Sequence, residues 1–205
     1  EATCEVIFVH GLEGGQETWM EGGRSLADAV VEDERLAGAR CWYFNHSSAA
    51  VSLVREGSVA ERAEELVTQI GLEERLAASE LPVFFVAHSL GGLIVKQALV
   101  EAERRAYERP LSDRTVGVVF LGTPHGGSVW PTRVARLLRA LGLEGVVKTT
   151  ELFKELEEGS ETSARLRRQF EELSHKQRLP AKALYETRRL VPGLAAVVDA
   201  RSAAL

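Results

Sequence analysis

The sequence predicts an α/β fold in which a mostly parallel sheet carries helices on both faces. Short β-rich apolar runs alternate along the chain with segments of helical periodicity, an order typical of parallel α/β sheets. One run, Pro82–Ala87, is apolar throughout, as expected for a strand that is buried on both faces. Glycine, serine and histidine follow the strands directly, and binding sites in such sheets lie beyond the carboxyl ends of the strands.

Apolar runs predict the strands. Val6–Val9 and Cys41–Phe44 are rich in β-branched and aromatic residues, and they lead into His10-Gly11 and Asn45-His46. In chain order, the predicted strands are Val6–Val9, Cys41–Phe44, Pro82–Ala87, Val116–Leu121, Ala181–Tyr185 and a final short strand or extended loop at Val197–Val198.

Apolar residues at helical spacing predict the connecting helices. In one segment, Ala63, Leu66 and Ile70 fall on one face, with Glu and Arg on the other. The predicted helices are Ser25–Leu36, Val59–Leu76 and Leu93–Arg105.

Residues 128–178 interrupt this alternation and predict a helical insertion or lid within a single domain that spans 1–205. Helical patterns cover Thr132–Leu143, Thr150–Glu157 and Ser160–Ser174. The first pattern has arginines opposite an apolar face. It favours a cap helix packed on the sheet, and the alternative is contact with an anionic membrane surface.

Composition excludes several classes of protein. The chain has 205 residues, 45% of them apolar, and a formal net charge of −5. It can therefore bury a sizeable core, and it does not favour binding to nucleic acid. It shows neither an apolar run of transmembrane length nor a signal-peptide pattern. Cys4 and Cys41 have neither a disulfide framework nor metal-ligand spacing, which favours reduced thiols in a cytoplasmic protein without a metal site.

The segment Ala87–Gly92 (AHSLGG) predicts a nucleophile elbow, the sharp turn from a strand into a helix that exposes a catalytic serine. Small residues are needed two positions before and after the nucleophile. Ala87 and Gly91 satisfy this requirement around Ser89, although Ala87 departs from the strict G-x-S-x-G pattern. His88 lies inside the turn. The amide of Leu90, at the start of the helix, is a candidate donor to an oxyanion.

A second glycine follows the first predicted strand, in Val9–Leu12 (VHGL). Gly11 permits close approach of the backbone, and the amide of Leu12 is the candidate second donor of an oxyanion hole. The alternative is that His10 hydrogen-bonds the loop while Gly11 makes a turn.

A glycine-rich loop follows the fourth predicted strand, Val116–Leu121. It contains His125. We favour a role for this histidine in ordering the loop over a role as catalytic base, because its position in the order of catalytic residues along the chain does not suit a base.

Five segments of the chain carry a family resemblance: VIFVHG (6–11), FFVAHSLGGLIVKQAL (84–99), VVFLGTPHGGS (118–128), LYET (184–187) and VVDARSAAL (197–205). They resemble the lipase-like serine-esterase branch of the α/β-hydrolases. The chain looks most like the hydrolase domains at the N-termini of NACHT- or NB-ARC-type signalling ATPases (NLR-like proteins of immunity) and their mitochondrial and GPI-processing relatives.

The resemblance implies an α/β-hydrolase fold, a catalytic triad in the order serine, acid, histidine, and no cofactor. Ser89 takes the first place. The acid is Glu186 or Asp199, with a narrow preference for Glu186 because it follows a predicted strand. No histidine follows either acid. The family pattern places the histidine shortly beyond Leu205, so we expect the chain to lack its C-terminal end; the earlier histidine to inspect is His175.

The expected function is hydrolysis of a carboxylic ester, with a lipid as candidate substrate, through an acyl-enzyme. The resemblance also implies an effector domain regulated by an attached NACHT- or NB-ARC-type ATPase and by self-oligomerisation. Two alternatives remain open. One is a thioesterase or deacylase that acts on acylated protein. The other is a non-catalytic or autoinhibited interaction module.

Overall fold

The computed structural model describes residues 1–11, 14–46, 58–104, 111–123, 125 and 161–184, and it is built around a parallel sheet. Numbered along the chain, the described strands are β1 (Cys4–Val9), β2 (Met20–Glu21), β3 (Arg24–Ser25), β4 (Ala39–Phe44), β5 (Val83–His88), β6 (Thr115–Leu121) and β7 (Ala181–Leu184). β2 and β3 form a small antiparallel hairpin. The other five form one sheet in the order β4-β1-β5-β6-β7, and every neighbouring pair is parallel.

Helices connect these strands. The described ones are α1 (Leu26–Glu32), α2 (Val59–Leu72), α3 (Glu74–Ala77), α4 (Leu90–Arg104), α5 (Leu111–Arg114) and α6 (Glu161–Gln177), with 3₁₀ turns at Gln16–Trp19 and Glu34–Leu36. Among the described helices, none is long and apolar enough to cross a membrane.

The sheet is buried on both faces, as β1 shows: its successive side chains point to opposite sides of the sheet, and all of them are buried. Ile7 and Val9 join the larger apolar cluster, to which α2, α4 and α6 contribute. Val6 and Phe8 join a second cluster that includes residues of α1 and Trp19. The predicted α/β fold, a parallel sheet with helices on both faces, is therefore confirmed.

Most predicted boundaries differ from the observed ones by a few residues, and two differences have a clear cause. The helix predicted at Leu93 begins at Leu90, because the turn after β5 continues directly into α4. The helix predicted over Val59–Leu76 breaks at Glu73, whose backbone is extended. Leu72 is 76% exposed, and an unbroken helix would put Leu76 on the same face; the break buries Leu76 instead.

Other predictions are confirmed only in part. The last helix of the predicted insertion is observed as α6, three residues longer than expected at its C-terminal end. The helices predicted over Thr132–Leu143 and Thr150–Glu157, and the strand at Val197–Val198, lie outside the described residues. The sequence analysis did not predict the β2–β3 hairpin or α5.

The strand order reverses between β1 and β5. From β1 the chain moves outward to β4, and it then returns to β5 on the other side of β1. In open α/β sheets, ligands bind beyond the carboxyl ends of the strands at such a reversal. His10-Gly11 follows β1 and Ser89 follows β5, so both sequence motifs come to this point.

Candidate active site

Ser89 occupies the turn between β5 and α4 with a strained backbone. Its φ is 51°, in the left-handed region that side-chain-bearing residues avoid, and Arg178 is the other described non-glycine residue with a positive φ. The turn is held on both sides. The Ser89 N–H donates to Leu121 O at 2.9 Å, and the Gly92 N–H donates to Ser89 O at 3.1 Å. This is the geometry that a nucleophile elbow requires.

Close packing explains why small residues surround the turn. A β-carbon on Gly91 would lie 2.3 Å from Val9 O and 2.5 Å from His10 O, so the start of α4 rests directly on the end of β1. A β-carbon on Gly92 would lie 2.1 Å from Thr123 Oγ1, beyond the end of β6. Since no larger residue fits at either position, the two glycines let α4 begin between the ends of neighbouring strands.

Gly11 lies against the side chain of Ser89. A β-carbon on Gly11 would be 2.8 Å from Ser89 Cβ and 3.3 Å from Ser89 Oγ. The register of the sheet causes this contact, because Val9 of β1 is paired with Ala87 of β5. The residues after both strands therefore emerge side by side. The two glycine motifs of the sequence meet at one point, as the oxyanion-hole interpretation requires.

Leu90 is the first residue of α4, and its side chain is buried. The first N–H groups of a helix have no acceptor within the helix, and they carry the positive end of its dipole. The Leu90 amide therefore lies beside Ser89 at a position suited to a negative oxygen. Leu12, the candidate second donor, lies outside the described residues.

The two histidines next to the turn, His10 and His88, both have a lowered pKa. Burial lowers the pKa of His10 and of His88, and the neighbouring His10 lowers the pKa of His88 further. The His10 Nδ1–H donates to Gly11 O at 2.9 Å, so the hydrogen bond expected from the alternative interpretation is present. This bond and the contact of Gly11 with Ser89 occur together. His88 presents its ring to the edge of Trp19, with centroids 6.4 Å apart.

His125 is buried against β6, with its ring edge-on to Phe120 at a centroid distance of 4.6 Å. Burial, with Lys96 and Arg167 nearby, lowers the pKa of His125 to about 3. Neither ring nitrogen has a hydrogen-bond partner within the part of the chain that the structure describes. That His125 orders the loop after β6, rather than acting as the catalytic base, stays a prediction.

His175 lies at the wrong edge of the sheet to serve as a base. It is in the last turn of α6, a few residues before β7 begins at Ala181. In a parallel sheet the strands begin at one edge and end at the other, and Ser89 follows the end of β5. His175 and Ser89 are therefore separated by about one strand length, on the order of 15–20 Å. The structure therefore does not bring His175, the earlier histidine considered as an alternative base, to Ser89.

The two candidate acids, Glu186 and Asp199, lie outside the described residues. The structure does describe the end of β7. Leu184 pairs with Leu121, and the Gly122 N–H donates to Leu184 O at 2.8 Å. β7 thus ends at the same edge as Ser89, one strand beyond β6.

Two buried side chains near the strand ends were not selected as site residues by the sequence analysis. His46, after β4, stacks on His10 with centroids 4.1 Å apart and ring planes at 16°. Its position directly after a predicted strand was the available signal. Lys96, in the second turn of α4, places its ammonium over the rings of Phe120 and Phe170, and no sequence signal distinguished it from an ordinary surface lysine.

A parallel sheet with a strained serine at a strand-to-helix turn, beside a glycine at the end of the neighbouring strand, defines the α/β-hydrolase class. Within that class, the chain belongs to the family described as "Putative serine esterase (DUF676)", which matches residues 3–176.

Curated relatives of the chain are SERAC1 proteins. The chain is 32% identical over 154 residues to SERAC1 of Danio rerio and 26% identical over 148 residues to SERAC1 of Homo sapiens. Each match covers 61% of this chain and 22% of the relative. The chain therefore spans about a fifth of the length of the curated relatives that it matches.

Solved structures with a similar fold are bacterial lipolytic proteins. The Bacillus licheniformis lipase BlEst2 in its mature form matches with a TM-score of 0.65 at 18% identity, over 94% of this chain and 69% of the lipase. Phospholipase PlaB from Legionella pneumophila matches with a TM-score of 0.60 at 18% identity, over 82% of this chain and 35% of the phospholipase. At this identity the likeness shows a shared fold.

Proposed function

We propose that the chain is a serine hydrolase that cleaves a carboxylic ester through an acyl-enzyme, with Ser89 as nucleophile. The observation that carries the proposal is the contact between Gly11 and the strained Ser89. A serine held in the left-handed region costs stability, and such strain clusters at functional sites. The membership in a serine-esterase family supports the same reaction class.

In the proposed reaction, the Ser89 hydroxyl loses its proton to a base as Oγ bonds to the ester carbonyl carbon. The carbonyl oxygen becomes an oxyanion, which the amides of Leu90 and Leu12 stabilise. The bond to the alcohol oxygen then breaks, and the alcohol leaves with the proton. Water attacks the acyl-enzyme in the same way, which releases a carboxylic acid and restores Ser89.

The proposed acid is Glu186, two residues beyond Leu184, with Asp199 as the alternative. Glu186 is preferred because β7 ends at the edge of the sheet that carries Ser89. The proposed base is a histidine that follows Leu205 in a longer chain, as the resemblance implies. Replacing Glu186 and Asp199 separately by alanine in an active protein tests the acid: the true acid loses most of kcat, and the other loses little.

An ester with an apolar acyl chain is the proposed substrate class. Support comes from the fold shared with a lipase and a phospholipase. A thioesterase or deacylase would use the same serine. Parallel assays of an oxygen ester and a thioester with the same acyl chain separate these activities, because the higher kcat/KM identifies the bond that the site prefers.

We further propose that the domain acts in the cytoplasm as an effector within a larger signalling protein, joined to a NACHT- or NB-ARC-type ATPase that activates it by oligomerisation. The support is the resemblance of the sequence motifs and the small share of its curated relatives that the chain spans. Light scattering of the natural full-length protein, with and without ATP, measures the oligomeric state, and ester hydrolysis in the same samples shows whether activity follows it. The rival module interpretation predicts oligomerisation without hydrolysis.

The proposed catalytic function is tested with a fluorophosphonate, which labels an activated serine. The natural chain extended past Leu205 is compared with the 205-residue form and with the extended Ser89→Ala variant. Ser163→Ala, which changes an exposed serine on α6, is the matched control. We expect labelling of the extended chain and of its Ser163→Ala variant, and none of Ser89→Ala. An extended chain that stays unlabelled contradicts the enzyme proposal and favours the module.

A further inference from the structure

We propose that Arg62, His46 and His10 form a positioning chain. It holds the backbone of residues 10 and 11, at the end of β1, in place through the carbonyl groups of His10 and Gly11. None of the three is a catalytic residue, since each acts through the backbone of residues 10 and 11. The inference rests on the proposed function, because it assigns these side chains a part in the same reaction.

The last link of the chain is the hydrogen bond from His10 to Gly11. The distance from Nδ1 to Gly11 O is 2.9 Å. A carbonyl oxygen only accepts, so Nδ1 of His10 carries the proton, and the neutral ring is the Nδ1–H tautomer. The peptide group is planar, so a fixed Gly11 carbonyl also fixes the plane that carries the next amide, which is the proposed Leu12 donor.

The middle link is His46. Its ring stacks on the ring of His10, and its Nε2 lies 3.0 Å from His10 O. That carbonyl again only accepts, so His46 carries its proton on Nε2. His46 therefore restrains both parts of residue 10: it packs on the side chain, and it donates to the backbone at the end of β1.

The first link is Arg62 of α2. Its Nη1 lies 3.3 Å from Nδ1 of His46, and the arginine is only 3% exposed. A guanidinium only donates, so Nδ1 of His46 must be the acceptor, which agrees with a proton on Nε2. In each of the three hydrogen bonds that connect Arg62, His46, His10 and Gly11, a donor therefore faces an acceptor.

The placement of this chain favours a positioning role over packing alone. Gly11, the last residue of the positioning chain, lies in contact with Ser89. A shift of about 1 Å in a catalytic group can lower the rate by a factor on the order of 10². Buried polar side chains are costly unless they are hydrogen-bonded, and an apolar trio would fill the same space without that cost. The two imidazole rings and the guanidinium, in their hydrogen-bonded orientation, specify one conformation of the backbone at the end of β1.

The test measures ester hydrolysis by the extended natural chain and its variants. His10→Leu keeps most of the volume and removes the donor, whereas His10→Asn keeps an N–H close to the position of Nδ1. His46→Phe keeps the stacked ring without its nitrogens. The control is His175→Leu, which changes an exposed histidine at the opposite edge of the sheet.

We expect His10→Leu to lower kcat about 10²-fold with little change in KM, because an oxyanion hole acts on the transition state. His10→Asn recovers most of that loss, His46→Phe lowers kcat about 10-fold by the same mechanism, and His175→Leu behaves like the parent. A folded His10→Leu variant with the parent kcat, or with a loss confined to KM, overturns the proposal.

A second measurement does not depend on how the variants fold. The ¹⁵N chemical shifts of the imidazole rings in the parent protein report their tautomers directly. The proposal requires Nδ1–H for His10 and Nε2–H for His46, and the opposite tautomer at either ring overturns it. If the parent shows no Ser89-dependent turnover, the proposed function fails and this inference fails with it; turnover that His10→Leu leaves intact removes the inference alone.

Discussion

A β-carbon placed on Gly11 would lie 2.8 Å from Cβ of Ser89, so the residue that follows β1 and the residue that follows β5 are in direct contact. The contact leaves no room for a side chain at position 11. It also joins two motifs that are separated by almost 80 residues in the sequence, and it concentrates the proposed chemistry at one point of the sheet.

Gly11→Ala should therefore impair catalysis far more than folding. The methyl group would push Gly11 and Ser89 apart, and we expect a loss in kcat of about 10²-fold or more. Gly71→Ala is the matched control, because nothing lies within 4 Å of a β-carbon there and the position is inside α2. That variant should keep its activity and gain about 0.5–1 kcal/mol of unfolding free energy. Equal activity of the two variants in an ester assay would contradict the predicted contact.

Ser89→Gly should be more stable than Ser89→Ala by about 1 kcal/mol, because glycine adopts a φ of 51° without strain. Both variants should be inactive. Denaturant unfolding measures the difference in free energy. Arg178, with a φ of 52°, provides a control at the other edge of the sheet: Arg178→Gly should exceed Arg178→Ala in stability by a similar amount and retain activity. A Ser89→Ala variant as stable as Ser89→Gly would show that position 89 is unstrained.

Lys96→Met should stabilise the fold near neutral pH. Burial lowers the pKa of Lys96 from 10.5 to about 7, with Glu171 opposing the shift and Arg167 adding to it. Between these two values the unfolded chain binds a proton that the folded chain does not, so the stability of the parent falls as the pH falls from 10.5 to 7. At higher pH the lysine is neutral in both states, and the penalty disappears.

The expected gain from Lys96→Met is on the order of 4 kcal/mol at pH 7, and it should shrink towards zero near pH 10.5. Urea unfolding of both proteins across this range measures it. Lys182→Met removes the same charge at an exposed position and should show no such trend. A gain that stays constant with pH would indicate a packing effect rather than a buried charge.

Glu5→Gln should destabilise the protein and leave the proposed site intact. The buried carboxylate accepts hydrogen bonds from Arg40, from Trp42 Nε1 at 2.8 Å and from Ser79 Oγ at 2.6 Å. Burial raises the pKa of Glu5, but these bonds outweigh burial and hold the pKa below 4.5. The network lies at the start of β1, one strand length from Ser89.

We expect a loss of about 2–4 kcal/mol for Glu5→Gln, because three donors lose a charged acceptor. The stabilisation that depends on this low pKa is present above pH 4.5 and is lost as the pH falls below it. Thermal unfolding at pH 7 and pH 3 measures this, with the exposed Glu21→Gln as control. An equal difference between parent and variant at both pH values would exclude the ionised carboxylate as the source of stability.

Local sequence patterns were enough to predict the alternation of the main strands with helices along the chain and the strand-to-helix turn that carries Ser89, the proposed nucleophile. Both depend on local patterns: strands such as Pro82–Ala87 are apolar because they are buried on both sides, and the turn at Ser89 needs small neighbours whatever surrounds it. The prediction that the residues after the strands would gather at one edge followed from the parallel arrangement alone.

Tertiary structure decided which of those residues meet. The sequence does not show which of its five histidines lie close to one another. In the fold, His46 stacks on His10, and His125 is buried against Phe120. His175 lies at the opposite edge of the sheet. It also buries Lys96 between two rings that come from different elements, and it breaks a continuous helical pattern at Glu73 to bury Leu76. Contacts of this kind join segments far apart in the chain, and their geometry depends on strand order, register and helix docking, which local periodicity does not encode.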